Sequence, residues 1–372
     1  MFIYNTHIVF FLGFALLLAV VVTAPAPVGL AQQAEAQRFW RVMQPEALPG
    51  NPPLAQSARA LQLDRAALLE RLAQVPLEGA ASAGEVVLPV PLPDGRFVNF
   101  QLAESSVLPA SLAAKYPLLK SYRGTSNELP GALMRCDWSP RGLHATILWQ
   151  GQWISLHPVS YDHPDFYVSD YGNEVMGEAS NLRCLVEESN YPRATSEAAV
   201  DGVAFGPIRR TFRLALATTV QYTNHAALGG GSVATTMATL NTWVNALNVI
   251  YEKDLSIRFI LAENNDQLIF TSEPDGLTET DLLKMVDEIR PLMESKLGLA
   301  RYDLGQLLGV GNAGLTYLNE VCANNNYKGG GVSLVSTTQP VGTGSSLILL
   351  AHEIGHQFNA RHTFNDTLSP NY

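Results

Sequence analysis

The sequence predicts an α/β (α+β) fold in two parts, and three observations lead there. The chain has 372 residues, 47% of them hydrophobic and 16% charged, a globular composition with length enough for two domains. Its first half, after one helical stretch, is dominated by short apolar runs separated by turn signals. From about residue 208 strand-like and helix-like stretches alternate, which implies a mainly parallel, twisted sheet covered by helices. Shifts in composition divide the chain into a targeting segment at 1–31, a smaller mixed helix/strand region at 32–190, a linker at 191–207 and a second domain at 208–372.

The elements follow in order. Ile8 to Val22 (IVFFLGFALLLAVVV) is an unbroken apolar run of 15 residues, followed by small residues and prolines. A spanning helix needs about 20 apolar residues, so this run suits a secretory signal cut after Ala31 or Ala36. An uncleaved anchor is the alternative, since residues 2–7 carry no Lys or Arg. Both readings take the bulk of the chain out of the cytoplasm, to a secreted or cell-surface location. Leu61, Leu68 and Leu72 recur at helical spacing through ALQLDRAALLERLAQ until Pro76 stops the helix. Pro93-Asp94-Gly95 marks a turn, and Trp149-Gln150-Gly151-Gln152-Trp153 reads as a hairpin tip between ATIL and ISL. YPRATSEAAVDGVAFGP, from Tyr191 to Pro207, has the composition of an exposed linker.

In the second part FRLALATT, from Phe212, is a strand. Ser232 caps a helix whose Val233, Met237, Leu240, Val244, Leu247 and Tyr251 share one face. Ser256 to Ala262 is the next strand. Thr278 to Leu297 is an amphipathic helix, tightened near Pro291 and ended by Gly298. Asp303 to Val310 and Gly331 to Ser336 are further strands. A last helix begins near Ser345 or Ser346.

That helix carries the chemistry, in LLAHEIGHQFNARHTFN. His352 and His356, four apart, project from one helical face and can reach one Zn²⁺. Glu353, beside the first ligand, is placed to reach a water rather than the metal. His362 joins them only if the chain turns back, and Asn359 is the candidate turn because Asn tolerates the left-handed conformation. Three His ligands leave zinc one open position, as catalysis requires. Chance alone yields three His and a Glu at these distances in roughly a few chains of this composition in ten thousand. Burying them unpaired as plain core side chains would be costly.

HEIGHQFNARH resembles the metzincin zinc signature H-E-x-x-H-x-x-G-x-x-H, with Asn359 at the glycine. The flanking HTFN, together with RTFRLALATTVQYTNH, YDLGQLLGVG and NEVCANNN, is similar to the reprolysin-like (adamalysin-type) branch over about residues 209–372. PLPDGRFVNFQLAESSVLP and SPRGLHATILWQGQWISL look like the pro-region of such proteins. The resemblance implies a secreted zinc endopeptidase precursor with a metzincin-like catalytic domain and one catalytic Zn²⁺. In it His352, His356 and His362 are the ligands, Glu353 the general base, and a protein or peptide the substrate. Metzincins continue to a methionine-containing turn beneath the zinc. Here the last Met is Met293, so the sequence reads as truncated at its C-terminus.

The remaining candidates are weaker. In an oxidising compartment Cys136 and Cys184 of the pro-region would pair in a disulfide. A pro-region thiolate latched on the zinc is the alternative, although neither cysteine lies in a recognisable latch motif. Cys322 would then pair beyond Tyr372. A net charge of −10 argues against a nucleic-acid partner. Gly229-Gly230-Gly231-Ser232 lacks the Lys of a nucleotide loop and reads as a helix entry. Asp162, His163 and Asp165 read as a solvated loop, His225 as structural, and Arg209-Arg210 as a weak processing site. A monomer touching membrane only through its N-terminus completes the expectation. Two other classes stay open: an extracellular binding or adhesion module on a metzincin scaffold, and a thermolysin-like site with a distant Glu as third ligand.

Overall fold

The computed structural model describes residues 28–172, 182–186, 208–278 and 280–362. The apolar N-terminal run, the Tyr191–Pro207 linker and everything after His362 lie outside the described residues.

The first part contains α1 (Val28–Ala36), β1 (Trp40–Val42), β2 (Arg59–Leu63), α2 (Arg65–Leu72), β3 (Val86–Pro91), β4 (Phe97–Glu104), α3 (Ala110–Lys115), β5 (Lys120–Thr125), β6 (Leu133–Ser139), β7 (Gly142–Trp149), β8 (Gln152–Pro158) and β9 (Phe166–Tyr171). Its strands form one nine-stranded sheet, β1-β2-β9-β8-β7-β6-β5-β4-β3. Every pairing in it is antiparallel. The turn at Pro93-Asp94-Gly95 joins β3 to β4, with Gly95 at φ 94°. The tip Gln150-Gly151 joins β7 to β8 with φ 49° and 77°, the positive pair that a two-residue hairpin requires. Residues alternate across the sheet. Met134, Cys136 and Trp138 of β6 enter a core with Trp40, Leu68 and Tyr122, while Arg135, Asp137 and Ser139 face the other way and are buried as well.

Two expectations are corrected here. Leu61 is not helical: it lies in β2, and the helix starts only after Asp64, whose Oδ1 accepts from the Ala67 N–H at 3.0 Å. The first part does mix helices with strands, but it carries the larger of the two sheets. Taken over the molecule, the strands are mostly antiparallel, and the fold is mixed α/β.

The second part contains β11 (Arg210–Thr218), α4 (Val220–Asn224), α5 (Val233–Leu255), β12 (Ile257–Leu261), α6 (Leu282–Leu297), β13 (Leu304–Val310), β14 (Ala313–Thr316), β15 (Gly331–Val335) and α7 (Gly344–Gln357), preceded by the short β10 (Arg183–Cys184). Its sheet runs β10-β14-β15-β13-β11-β12. Among the described strands, parallel pairing is confined to this sheet, which also holds one antiparallel pair, β14 with β15. The Ser232 hydroxyl and Thr235 form a capping box at the start of α5. Asp281 caps α6, and Gly298 at φ 84° follows its end. α5 is buried on two sides. Met237, Leu240, Val244 and Leu247 enter the core, and Asn241, Thr242, Asn245 and Asn248 are buried too. The second face meets the polar side of the nine-stranded sheet: Thr242 donates to Asp137 at 2.7 Å and Ser121 to Asn241 at 2.9 Å.

Candidate metal centre

α7 is held at three points along its length. At its start the Ser336 N–H donates to Ser346 Oγ at 2.9 Å. In its middle the Tyr251 hydroxyl donates to the Ala351 carbonyl at 2.8 Å. At its end Gln357 Nε2 donates to the Gly305 carbonyl at 3.1 Å and to Gln306 Oε1 at 2.7 Å. A Cβ at Gly331 would sit 1.9 Å from Gln306 Oε1, so the glycine makes room for the paired glutamines. Leu347, Leu350 and Ile354 fill the groove between α7 and the sheet.

Past Gln357 the chain reverses at Asn359, whose φ is 71°. Its N–H donates to the His356 carbonyl at 2.8 Å and the Ala360 N–H to the Gly355 carbonyl at 3.0 Å. The turn brings His362 back to the helix. The Nε2 atoms of His352, His356 and His362 then lie 3.0, 3.2 and 3.2 Å from one another. It also orients one ring. His356 Nδ1 is 2.7 Å from the Ala360 carbonyl, to which it can only donate, so the Nε2 lone pair of the neutral ring faces the cluster.

Cys184 joins this group from β10. Its Sγ is 3.5 Å from His356 Nε2. One ligand atom from each of the four residues lies within 4.8 Å of the rest, the one such group among the described residues. β10 lies along the free edge of β14 in parallel, pairing Cys184 with Gly314, and the Leu185 N–H donates to the Gly314 carbonyl at 3.0 Å.

Glu353 lies on the same side, fully buried. Neither carboxylate oxygen has a partner in good hydrogen-bonding geometry. Burial pushes its carboxyl up to about 8, against the opposing pull of the Cys184 thiol. Gly314 gives it space: a Cβ there would be 2.3 Å from Glu353 Oε1.

The donor set fits zinc. Nitrogens bound tetrahedrally at about 2.0–2.1 Å are ~3.3 Å apart, close to the spacing found, and three converging imidazoles with a thiol is a borderline-soft set. The buried Glu353 carboxylate, without a partner in good geometry, lies beside this converging group.

Several expectations are corrected. Cys136 and Cys184 form no disulfide: Cys136 is sealed in the core of the nine-stranded sheet, and Cys184 lies at the imidazoles. β15 is enclosed between β13 and β14 and offers no free edge to a peptide. The strand nearest the cluster is β14, whose outer edge β10 covers; the sequence reading missed it because its four residues, AGLT, are too short and too small to register as a period-2 strand. Cys184 lies in no recognisable motif, so nothing in its flanks marks it out from Cys136 as the thiol that meets the imidazoles. Cys322 is exposed and outside the cluster. Asp162, His163 and Asp165 form no ligand group among the described residues. His225 is structural, its Nδ1 accepting from the Ala227 N–H at 3.2 Å.

The family model for "Metallo-peptidase family M12B Reprolysin-like" matches residues 208–371. No curated protein matches the chain. Among solved structures, metalloproteinase-II from Bacteroides fragilis is similar at 13% identity and a TM-score of 0.40, over 73% of this chain and 79% of that one. A score that low carries no argument about the site.

Proposed function

Because residues 208–371 belong to the reprolysin-like metallopeptidases of family M12B, we propose that this chain is the latent, exported precursor of a zinc endopeptidase, with residues 32–190 as its pro-region. The observation that carries the reading is the convergence of the three Nε2 atoms at 3.0–3.2 Å beside an unpartnered buried carboxylate. Export is supported by the apolar run at Ile8–Val22.

His352, His356 and His362 would hold the metal. Zinc bound there supplies a Lewis acid that acidifies water and polarises a peptide carbonyl. Glu353 takes the proton of the attacking water and hands it to the leaving amine; its raised pKa and missing partners suit it to both transfers. A substrate would lie extended along β14, hydrogen-bonding to the backbone edge that Leu182–Val186 now covers. Cys184, 3.5 Å from His356 Nε2, would supply the fourth metal ligand and keep water and substrate out until its segment leaves. Precursor status rests on this contact.

The test is a pair of substitutions in the full chain. Cys184→Ala should begin to hydrolyse an unfolded protein substrate without any cut in the chain, while the unaltered chain stays inactive. Adding Glu353→Ala should abolish that hydrolysis and leave zinc stoichiometric. A Cys184→Ala chain that holds zinc yet cleaves nothing would instead favour a binding module.

A further inference from the structure

We infer that cutting the chain between its two sheets does not separate them: the nine-stranded unit stays on the second unit as a non-covalent subunit, carrying the Cys184 segment with it. Four features of the junction support this.

The first is a shared apolar core. Val107, Leu108, Leu112 and Leu119, which follow β4 in the first unit, are buried in the same cluster as Trp243, Leu247, Phe259 and Ile354 of the second. That is the character of an obligate interface, a core divided between two bodies, rather than of a polar surface that parts readily. The second is backbone pairing. The Leu261 N–H at the end of β12 donates to the Val107 carbonyl at 2.8 Å, a backbone hydrogen bond between the two units.

The third is a charge network in which each unit holds an acid among the other's arginines. Glu252 at the end of α5 bonds Arg135 of β6, whose side chain is fully buried, as well as Arg258 of its own unit. Arg258 in turn grips Glu78 of the first unit through two bonds, at 2.6 and 3.1 Å, and Arg209 reaches Glu78 at 3.1 Å. Arg135 also donates to the Ser105 carbonyl at 3.2 Å. The fourth is Arg141, in the turn between β6 and β7. Its guanidinium donates to the Leu228 and Ala226 carbonyls at 2.5 and 2.6 Å, closing the loop that leads into α5. None of these contacts uses residues 187–207, so none is lost when that segment is cut.

Where the chain is a latent peptidase as proposed above, one cut in the linker therefore leaves it latent. Activity needs a second event that frees Cys184 from the imidazoles.

The experiment uses the full chain with a site for a sequence-specific protease placed within residues 187–207. After complete cutting, gel filtration with mass detection at micromolar concentration should give one species of full mass. Two separate peaks would overturn the inference. Limited proteolysis of the unaltered chain in the same segment repeats the measurement without an insertion, with the same two outcomes. In the cut complex Glu252→Gln should speed dissociation about 30-fold or more, the loss expected when one partner of a buried, hydrogen-bonded charge pair is neutralised. An unchanged rate would remove the charge network from the explanation. Co-elution is read without any assay of hydrolysis, so it holds or fails whether or not the zinc reading does. Hydrolysis by the intact cut complex would count against the Cys184 latch alone.

Discussion

At the scale of single residues, the site depends on three that are not ligands. The Ala360 carbonyl sets the His356 tautomer, Asn359 supplies the reversal and Gly314 makes room for the base. Asn359→Gly should be tolerated, since glycine enters the left-handed region freely. Asn359→Val should cost roughly 1–2 kcal/mol in denaturant unfolding and lower zinc occupancy, because a β-branched residue resists a positive φ. An unfolding midpoint unmoved by Val would remove Asn359 as the constraint. Gly314→Ala is the sharper case. Made in the Cys184→Ala chain, it should keep zinc but cut hydrolysis at least tenfold, since its methyl and the Glu353 carboxylate cannot share the space. Full activity would mean the carboxylate's position matters less than argued. The histidines, Glu353 and Asn359 were legible in the sequence because their roles follow from spacing and residue type on one helix and its turn. Gly314 and Cys184 were not, because each matters only through a partner distant in the chain.

At the scale of elements, periodicity located strands and helices well but not their neighbours. β15 and β14 show the limit: an apolar run says that a strand is buried, while which strand lies at the edge depends on the pairing order of the whole sheet. α5 shows it again. Its apolar stripe was readable, but Asn241, Thr242, Asn245 and Asn248 have the pattern of a solvated face and are all buried: Asn241 and Thr242 bond the polar side of the other sheet, and Asn248 bonds the Phe259 backbone of β12. Leu61 was misassigned because a helical spacing ran across the Asp64 cap. α7 itself is fixed by hydrogen bonds no sequence pattern announces. Gln357→Ala should lower stability by roughly 1–3 kcal/mol in urea titration, since it leaves buried acceptors at Gly305 and Gln306 without their donor. A change within error would mean that α7 is held by its apolar contacts alone.

At the scale of the whole molecule, the junction between the sheets should make stability depend on pH. Asp137 is buried where β6 meets α5, and burial raises its carboxyl to about 7 against the opposing bond from the Thr242 hydroxyl. His144, 4.0 Å away, offers no compensating charge, because burial lowers its own pKa to about 3. An acid whose pKa is raised on folding binds its proton more tightly folded than unfolded. Its contribution is therefore fully present below the unfolded value of 3.8 and is lost progressively as pH rises to about 7. Relative to Asp137→Asn, the unaltered chain should lose thermal stability from about pH 4 to about pH 7 and run parallel above that. Parallel curves throughout would show that Asp137 is not desolvated. The central claim is nearer the helix: three imidazoles and one thiol converge on a single divalent ion. X-ray absorption at the zinc edge of the uncut chain, with metal quantified on the same sample, tests it most directly. The account predicts one zinc per chain with three nitrogen ligands at about 2.0–2.1 Å and one sulfur at about 2.3 Å. Substoichiometric metal, or a shell lacking those nitrogens, would contradict it.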